Sequence, residues 1–139
     1  MKACLRSPGC FVCGSVESNP RALDLAIFWN EEEHRTEIPF RADETWCGYK
    51  GVVHGGILSA ITDDAMAWAL RETWADWGFT GSLSVRFLRP VMAGIPYTAF
   101  GWAEERRGRK VATKAHILAE DGTIHVEAKA LFVIPEKGE

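Results

Sequence analysis

Residues 52–70 read VVHGGILSAITDDAMAWAL, and the fold turns on them. From His54 to about Thr73 the chain is rich in Ala, Leu, Met and Ile, with no proline and no glycine after Gly56, which predicts one long helix. Such a helix is apolar on nearly every side and must be covered all round. Two adjacent carboxylates, Asp63 and Asp64, interrupt it. Neighbouring helical residues point ~100° apart, so the two cannot share a direction and at least one faces protein. An unpaired carboxylate in a dry site costs several kcal/mol, or takes up a proton. It persists where it has a chemical task or a basic partner. Arg71 and Arg86 are candidates to pair with Asp64, the alternative being a hydrogen bond within the helix.

Outward from the helix the pattern turns to strand. LDLAIFWN (23–30) alternates Leu23, Leu25 and Ile27 against Asp24, Ala26 and Phe28, and RTEIPF (35–40) reads as a second short strand. RADETWCGYKG (41–51) reads as a loop. After the helix, GSLSVRFL, PYTAFGWAEE, KVATKAHILAE and TIHVEAKALFVI read as four antiparallel strands, joined through RRGR and the Asp121-Gly122 hairpin signal. The fold class is therefore α+β, a curled antiparallel sheet wrapped around one central helix. A single sheet covers such a helix only partly, and the uncovered side calls for a second copy in a symmetric dimer. The expected organisation is a cysteine-containing N-terminal extension (1–19), one domain (20–135) and a short tail (136–139).

Composition narrows the function. The net charge of −3 argues against nucleic acid as the main partner. No apolar run approaches the ~20 residues that span a bilayer, and MKACLRSPGCFVCG lacks the apolar core of a signal peptide. The expectation is a cytoplasmic protein without membrane contact, its cysteines reduced. Cys10 and Cys13 have the C-x-x-C spacing of a zinc half-site or redox pair, but the second half is missing. Cys4 and Cys47, or a second subunit, are the candidates to complete it. The expected reading is a tight turn with partly buried thiols and no metal.

The HGG of residues 54–56 carries chemistry of its own. Glycines at a helix start let a ligand approach the backbone, and the first N–H groups point outward. They suit an anion, or a carbonyl oxygen gaining negative charge. His54 is a base, a helix-start hydrogen-bond donor or a packed residue. Gly55 and Asp63 are eight residues apart, ~12 Å along the axis, so one carbonyl cannot touch both in one chain. If both act together, Asp63 comes from a second subunit.

These residues carry a resemblance. GYKGVVHGGILSAITDDAMAWAL, FTGSLSVRFLRPVMAG and GRKVATKAHILAEDG resemble the hotdog-fold acyl-CoA thioesterases of the phenylacetate-pathway (PaaI-like) type over about residues 20–135. The resemblance implies a hotdog fold and hydrolysis of acyl-CoA thioesters by a homodimer or homotetramer, with no cofactor beyond the coenzyme A of the substrate. It implies that Asp63 is the catalytic nucleophile or general base. Gly55 would polarise the thioester carbonyl with Gly56 beside it, and Thr80 would orient the carboxylate or water. It places His54 at the catalytic helix start, Gly81 and Ser82 among the substrate contacts, and Gly108, Arg109 and Lys110 at the coenzyme A nucleotide. One departure stands out: many relatives carry an amide six residues before the histidine, where this chain has Gly48. Tyr49, Trp46 or a water could replace it, or Gly55 could act alone. The rival readings are a hotdog dehydratase or hydratase with His54 as base, a non-catalytic acyl-CoA binding module, and a zinc-dependent interaction protein built on Cys10 and Cys13.

Overall fold

The computed structural model describes residues 1–136; residues 137–139 of the expected tail lie outside the described residues. In chain order the elements are β1 (Lys2–Ala3), β2 (Phe28–Asn30), β3 (Arg35–Arg41), a single 3-10 turn (Glu44–Trp46), α1 (Gly55–Trp74), β4 (Phe79–Phe87), β5 (Pro96–Arg107), β6 (Lys110–Ala119) and β7 (Ile124–Val133). The strands form one antiparallel sheet in the order β1-β2-β3-β5-β6-β7-β4. Among the described residues no helix is long and apolar enough to cross a membrane.

The helix begins and ends near where the sequence places it, for local reasons. His54 is the N-cap, and Ala75 closes the C-terminus in the left-handed region (φ 58°), its N–H returning to the Arg71 carbonyl. One face of α1 is buried, through Leu58, Ile61, Thr62, Ala65, Met66, Trp68, Ala69 and Leu70. The first turns pack on Ile38, Ala99, Ile117 and Val126, and the later ones on Val111, Ala115, Ala128 and Phe132.

At mid-helix the packing becomes backbone to backbone. The Thr36 hydroxyl donates to the Ala65 carbonyl at 2.7 Å, and a Cβ on Gly101 would lie 2.5 Å from the same oxygen. No side chain fits there, so this strand position is glycine because the helix backbone occupies the space.

Two strand expectations change. The 23–30 strand shrinks to Phe28–Asn30 because Asp24 takes a positive φ of 55° and breaks the extended path. Leu23 and Leu25 instead donate their N–H groups to Phe11 and Val12. The residues before them also form β1 against β2. Val12 and Cys13 are buried in the cluster that holds the first half of α1.

β4 is the opposite edge. Phe79, Leu83 and Phe87 are exposed along it, with Leu88 just beyond. A nine-residue edge with this much apolar surface is the kind natural sheets cover. Its pairing with β7 slips between Thr80 and Ser82, leaving Gly81 in a bulge.

Candidate active site

Asp63 lies half-buried on α1, facing β4. The Thr80 hydroxyl donates to its Oδ1 at 2.5 Å. Burial raises the carboxyl above its ordinary value, the Thr80 bond pulls it down, and the nearby Cys10 raises it again. A carboxyl held up by burial is a better proton acceptor than a free one, provided it is ionised. The bulge at Gly81 is adjacent to Thr80, where such irregularities re-aim a side chain. A Cβ on Gly81 would meet the Leu131 carbonyl at 3.1 Å. Ser82 follows beyond the bulge, exposed, its hydroxyl without a hydrogen bond among the described residues.

The start of the helix forms a second group. His54 Nδ1 accepts from the Gly56 N–H at 2.8 Å, so the ring caps the helix as an acceptor and its proton sits on Nε2. Of the roles expected for His54, the helix-start hydrogen-bond donor gives way to an acceptor. The Gly56 amide is thereby occupied, whereas no hydrogen bond takes up the Gly55 amide among the described residues. Gly55 faces the Phe87 ring, which a Cβ would meet at 3.2 Å. Gly48, Tyr49, His54, Gly55, Leu58 and Phe87 line a cleft of about 350 Å³. This cleft contains no carboxylate. Gly48 lies against the His54 ring, where a Cβ would be 3.2 Å from Cδ2. Trp46 stacks on Phe40 at 6.2 Å and packs with the core, while Tyr49 stands at the cleft, 84% exposed.

Within one chain, then, the structure brings Asp63 to Thr80 and His54 to Gly55 and Gly56, but not the two groups to each other. The residue 108–110 turn belongs to the first end. Lys110 pairs with Val133, which pairs with Phe79 beside Thr80. Gly108 makes that turn with φ 61°. Arg109 folds back, its Nε donating to the Ile134 carbonyl at 2.8 Å and its guanidinium pairing with Glu136 at 2.9 Å. Lys110 is exposed.

Asp64 corrects an expectation. Neither arginine reaches it: Arg71 binds the Ala75 carbonyl and lies over Trp77, and Arg86 pairs with Glu127. Its neighbours are Cys10 and Cys13, from a segment more than fifty residues away. Burial first, then Cys10, pushes the Asp64 carboxyl up to about 7. The Cys13 thiol and the N–H groups of Cys13, Val12 and Gly14 favour a thiolate at Cys10, lowering it to about 5, while Cys13 is driven up. No sequence signal links positions so far apart. Phe87 was also missed as a cleft residue, although its place in the β4 alternation was visible.

The family model described as the thioesterase superfamily matches residues 50–125. Acyl-coenzyme A thioesterase THEM4 of Xenopus laevis is 28% identical over 112 residues, covering 80% of this chain and 50% of that protein. The chain thus spans about half the length of the curated thioesterases it matches. Among solved structures, the thioesterase superfamily protein RHA08564 aligns with a TM-score of 0.78 at 26% identity, over 92% of this chain and 63% of that one. A phenylacetic acid degradation-related protein of Ralstonia eutropha JMP134 aligns at 0.70 with 25% identity, over 81% and 86%.

Proposed function

This chain belongs to the thioesterase superfamily, with the hotdog fold and PaaI-like motifs read from its sequence, and from that premise we propose that it hydrolyses acyl-CoA thioesters at a site shared by two protomers. One observation carries the reading. The helix that holds Asp63 against Thr80 also begins with an amide at Gly55 that no hydrogen bond takes up among the described residues, two turns away. Polariser and base are both present, but too far apart to meet in one chain. A two-fold axis that pairs antiparallel helices brings Gly55 of one protomer to Asp63 of the other, and the exposed apolar edge at β4 supports such pairing.

The thioester carbonyl oxygen accepts from the Gly55 N–H at the positive end of α1, which stabilises the charge that develops on attack. With the Gly56 amide tied to His54, Gly55 supplies this alone. Thr80 holds Oδ1 of Asp63 and leaves Oδ2 for the reaction. Asp63 either takes a proton from the attacking water, or attacks the carbonyl itself to give an anhydride that water opens. Both routes break the C–S bond and return one proton to coenzyme A. A thiol ionises near pH ~8.5, so the leaving group needs no strong acid. The capping bond at Nδ1 suits His54 to positioning, which favours hydrolysis over the hydratase reading. Lys110, exposed at the Thr80 end, attracts the coenzyme A phosphates, whereas Arg109 is engaged with Ile134 and Glu136.

Thiol release from a panel of aryl and alkyl CoA esters tests the activity; hydration of an enoyl-CoA without thiol release refutes it. Asp63→Asn should lower turnover by ~10²–10⁴-fold. Gly55→Pro removes the polarising N–H at a helix position that accepts proline, and His54 already has the extended conformation that precedes one (ψ 132°). Each variant alone should be nearly inactive. Mixed in equal amounts and refolded together, they should regain about a quarter of the wild-type rate, because heterodimers hold one intact site. No recovery would place the whole site within one chain.

A further inference from the structure

We propose that Cys10, Cys13 and Asp64 bind one thiophilic divalent cation, zinc in class, which staples the residue 10–14 turn to the flank of α1. The sequence offered Cys4 and Cys47 to complete the pair, but folding brings up Asp64 instead. One ligand atom from each of the three residues lies within 4.8 Å of the others. Cys10 Sγ is 3.7 Å from Asp64 Oδ1. Bond lengths of ~2.3 Å to sulfur and ~2.0 Å to oxygen in a tetrahedral site set a sulfur–oxygen separation of ~3.5 Å, which this pair already nearly meets, and the wider separations, none beyond 4.8 Å, close by side-chain rotation on binding.

The cluster is built for an ion in two further respects. Asp64 Oδ2 is buried with no hydrogen-bond partner, a costly state for a carboxylate. The three groups are all acids, and no lysine, arginine or histidine pairs with them among the described residues. Ionised together they carry three negative charges beside Asp63, and a divalent cation leaves one.

The turn itself directs a backbone donor at sulfur. The Cys13 N–H donates to Cys10 Sγ at 3.4 Å, and the chain then tightens so that the Gly14 N–H reaches the Cys10 carbonyl at 2.9 Å. A Cβ on Gly14 would lie 2.4 Å from that carbonyl, so the closure needs glycine. N–H donors toward sulfur are the outer-shell support that fixes a thiolate ligand. Two sulfurs and one oxygen select zinc over magnesium or calcium. On binding, each thiol gives its proton to solvent, the carboxylate coordinates ionised, and a water completes the four-coordinate shell.

The test is metal content, independent of hydrolysis. The reduced 139-residue chain, produced with zinc and purified without chelator, should carry one zinc per chain by plasma mass spectrometry. After stripping, titration with Co²⁺ under anaerobic conditions should give thiolate-to-cobalt charge transfer in the near ultraviolet. Cys10→Ser and Asp64→Asn should each weaken Co²⁺ binding by at least the ~10–100-fold that loss of an outer-shell partner costs. Cys47→Ser should leave it unchanged. Folded, reduced wild-type protein that holds no zinc and gives no charge-transfer band overturns the proposal. So does a Cys10–Cys13 disulfide in that preparation, or unaltered Co²⁺ binding by Cys10→Ser. If a variant fails to fold, the wild-type titration decides.

Discussion

Replacing Thr80 by valine keeps the side-chain shape and removes the one hydroxyl that donates to Asp63. The bond is 2.5 Å long and its acceptor is a carboxylate. Hydrogen bonds to charged groups contribute about 1.5–3 kcal/mol. If Asp63 must keep this orientation through the transition state, the loss appears in kcat/KM as a ~10–150-fold fall. The pH profile should move as well. The Thr80 bond opposes the upward push of burial on Asp63, so without it the acid limb of kcat/KM shifts to higher pH. Thr80 is exposed at the sheet edge, so water replaces its hydroxyl at Asp63 in the resting protein and the thermal midpoint should fall by only a few degrees. Thiol release followed across pH for wild type, Thr80→Val and Thr80→Ser measures this, with the serine restoring most of the rate. A valine variant with wild-type kcat/KM and an unmoved acid limb would refute the role given to Thr80.

Two further outcomes concern stability. Ala75 closes α1 at φ 58°, a conformation costing a side chain ~1–2 kcal/mol that glycine does not incur. Ala75→Gly should raise the melting temperature by about 2–5 °C, and a fall would contradict the capping argument. His116 packs edge-on to Phe100 and Trp102, and burial, then Arg35, lowers its basicity below the ordinary 6.5. The unfolded chain therefore takes up this proton first on acidification. The stability linked to His116 is present above pH 6.5 and declines as pH falls through that value toward the lower folded one. Urea unfolding over a pH series should show that decline in wild type and a flatter curve for His116→Gln.

The local features of the fold were legible in the sequence. Helical composition and the HGG start located α1, and the alternation of Leu83, Val85 and Phe87 located β4. Where the chain departs from its local signal, a backbone event is responsible. Asp24 turns left-handed inside a well-alternating segment, and Gly81 is squeezed out of register. For the candidate site, adjacency of Asp63 and Asp64 was enough to show that the two must differ. It could not say how, because charge alone suggested arginine partners and the real neighbours are thiols from the far N-terminal side. His54 shows the same limit. A histidine before two glycines is visible, but whether its ring donates or accepts depends on the cap geometry.

The contact between Gly101 and the Ala65 carbonyl works as a depth stop. It sits two residues from Asp63 and touches no cleft residue, so the helix cannot sink further onto the sheet whatever side chains change elsewhere. The spacing of Asp63 from Thr80 is thus set by backbone contact close to it, and not by Tyr49, which stands exposed at the cleft. A change at Tyr49 would reshape the mouth of the cleft while the Asp63 carboxylate kept its height above the sheet.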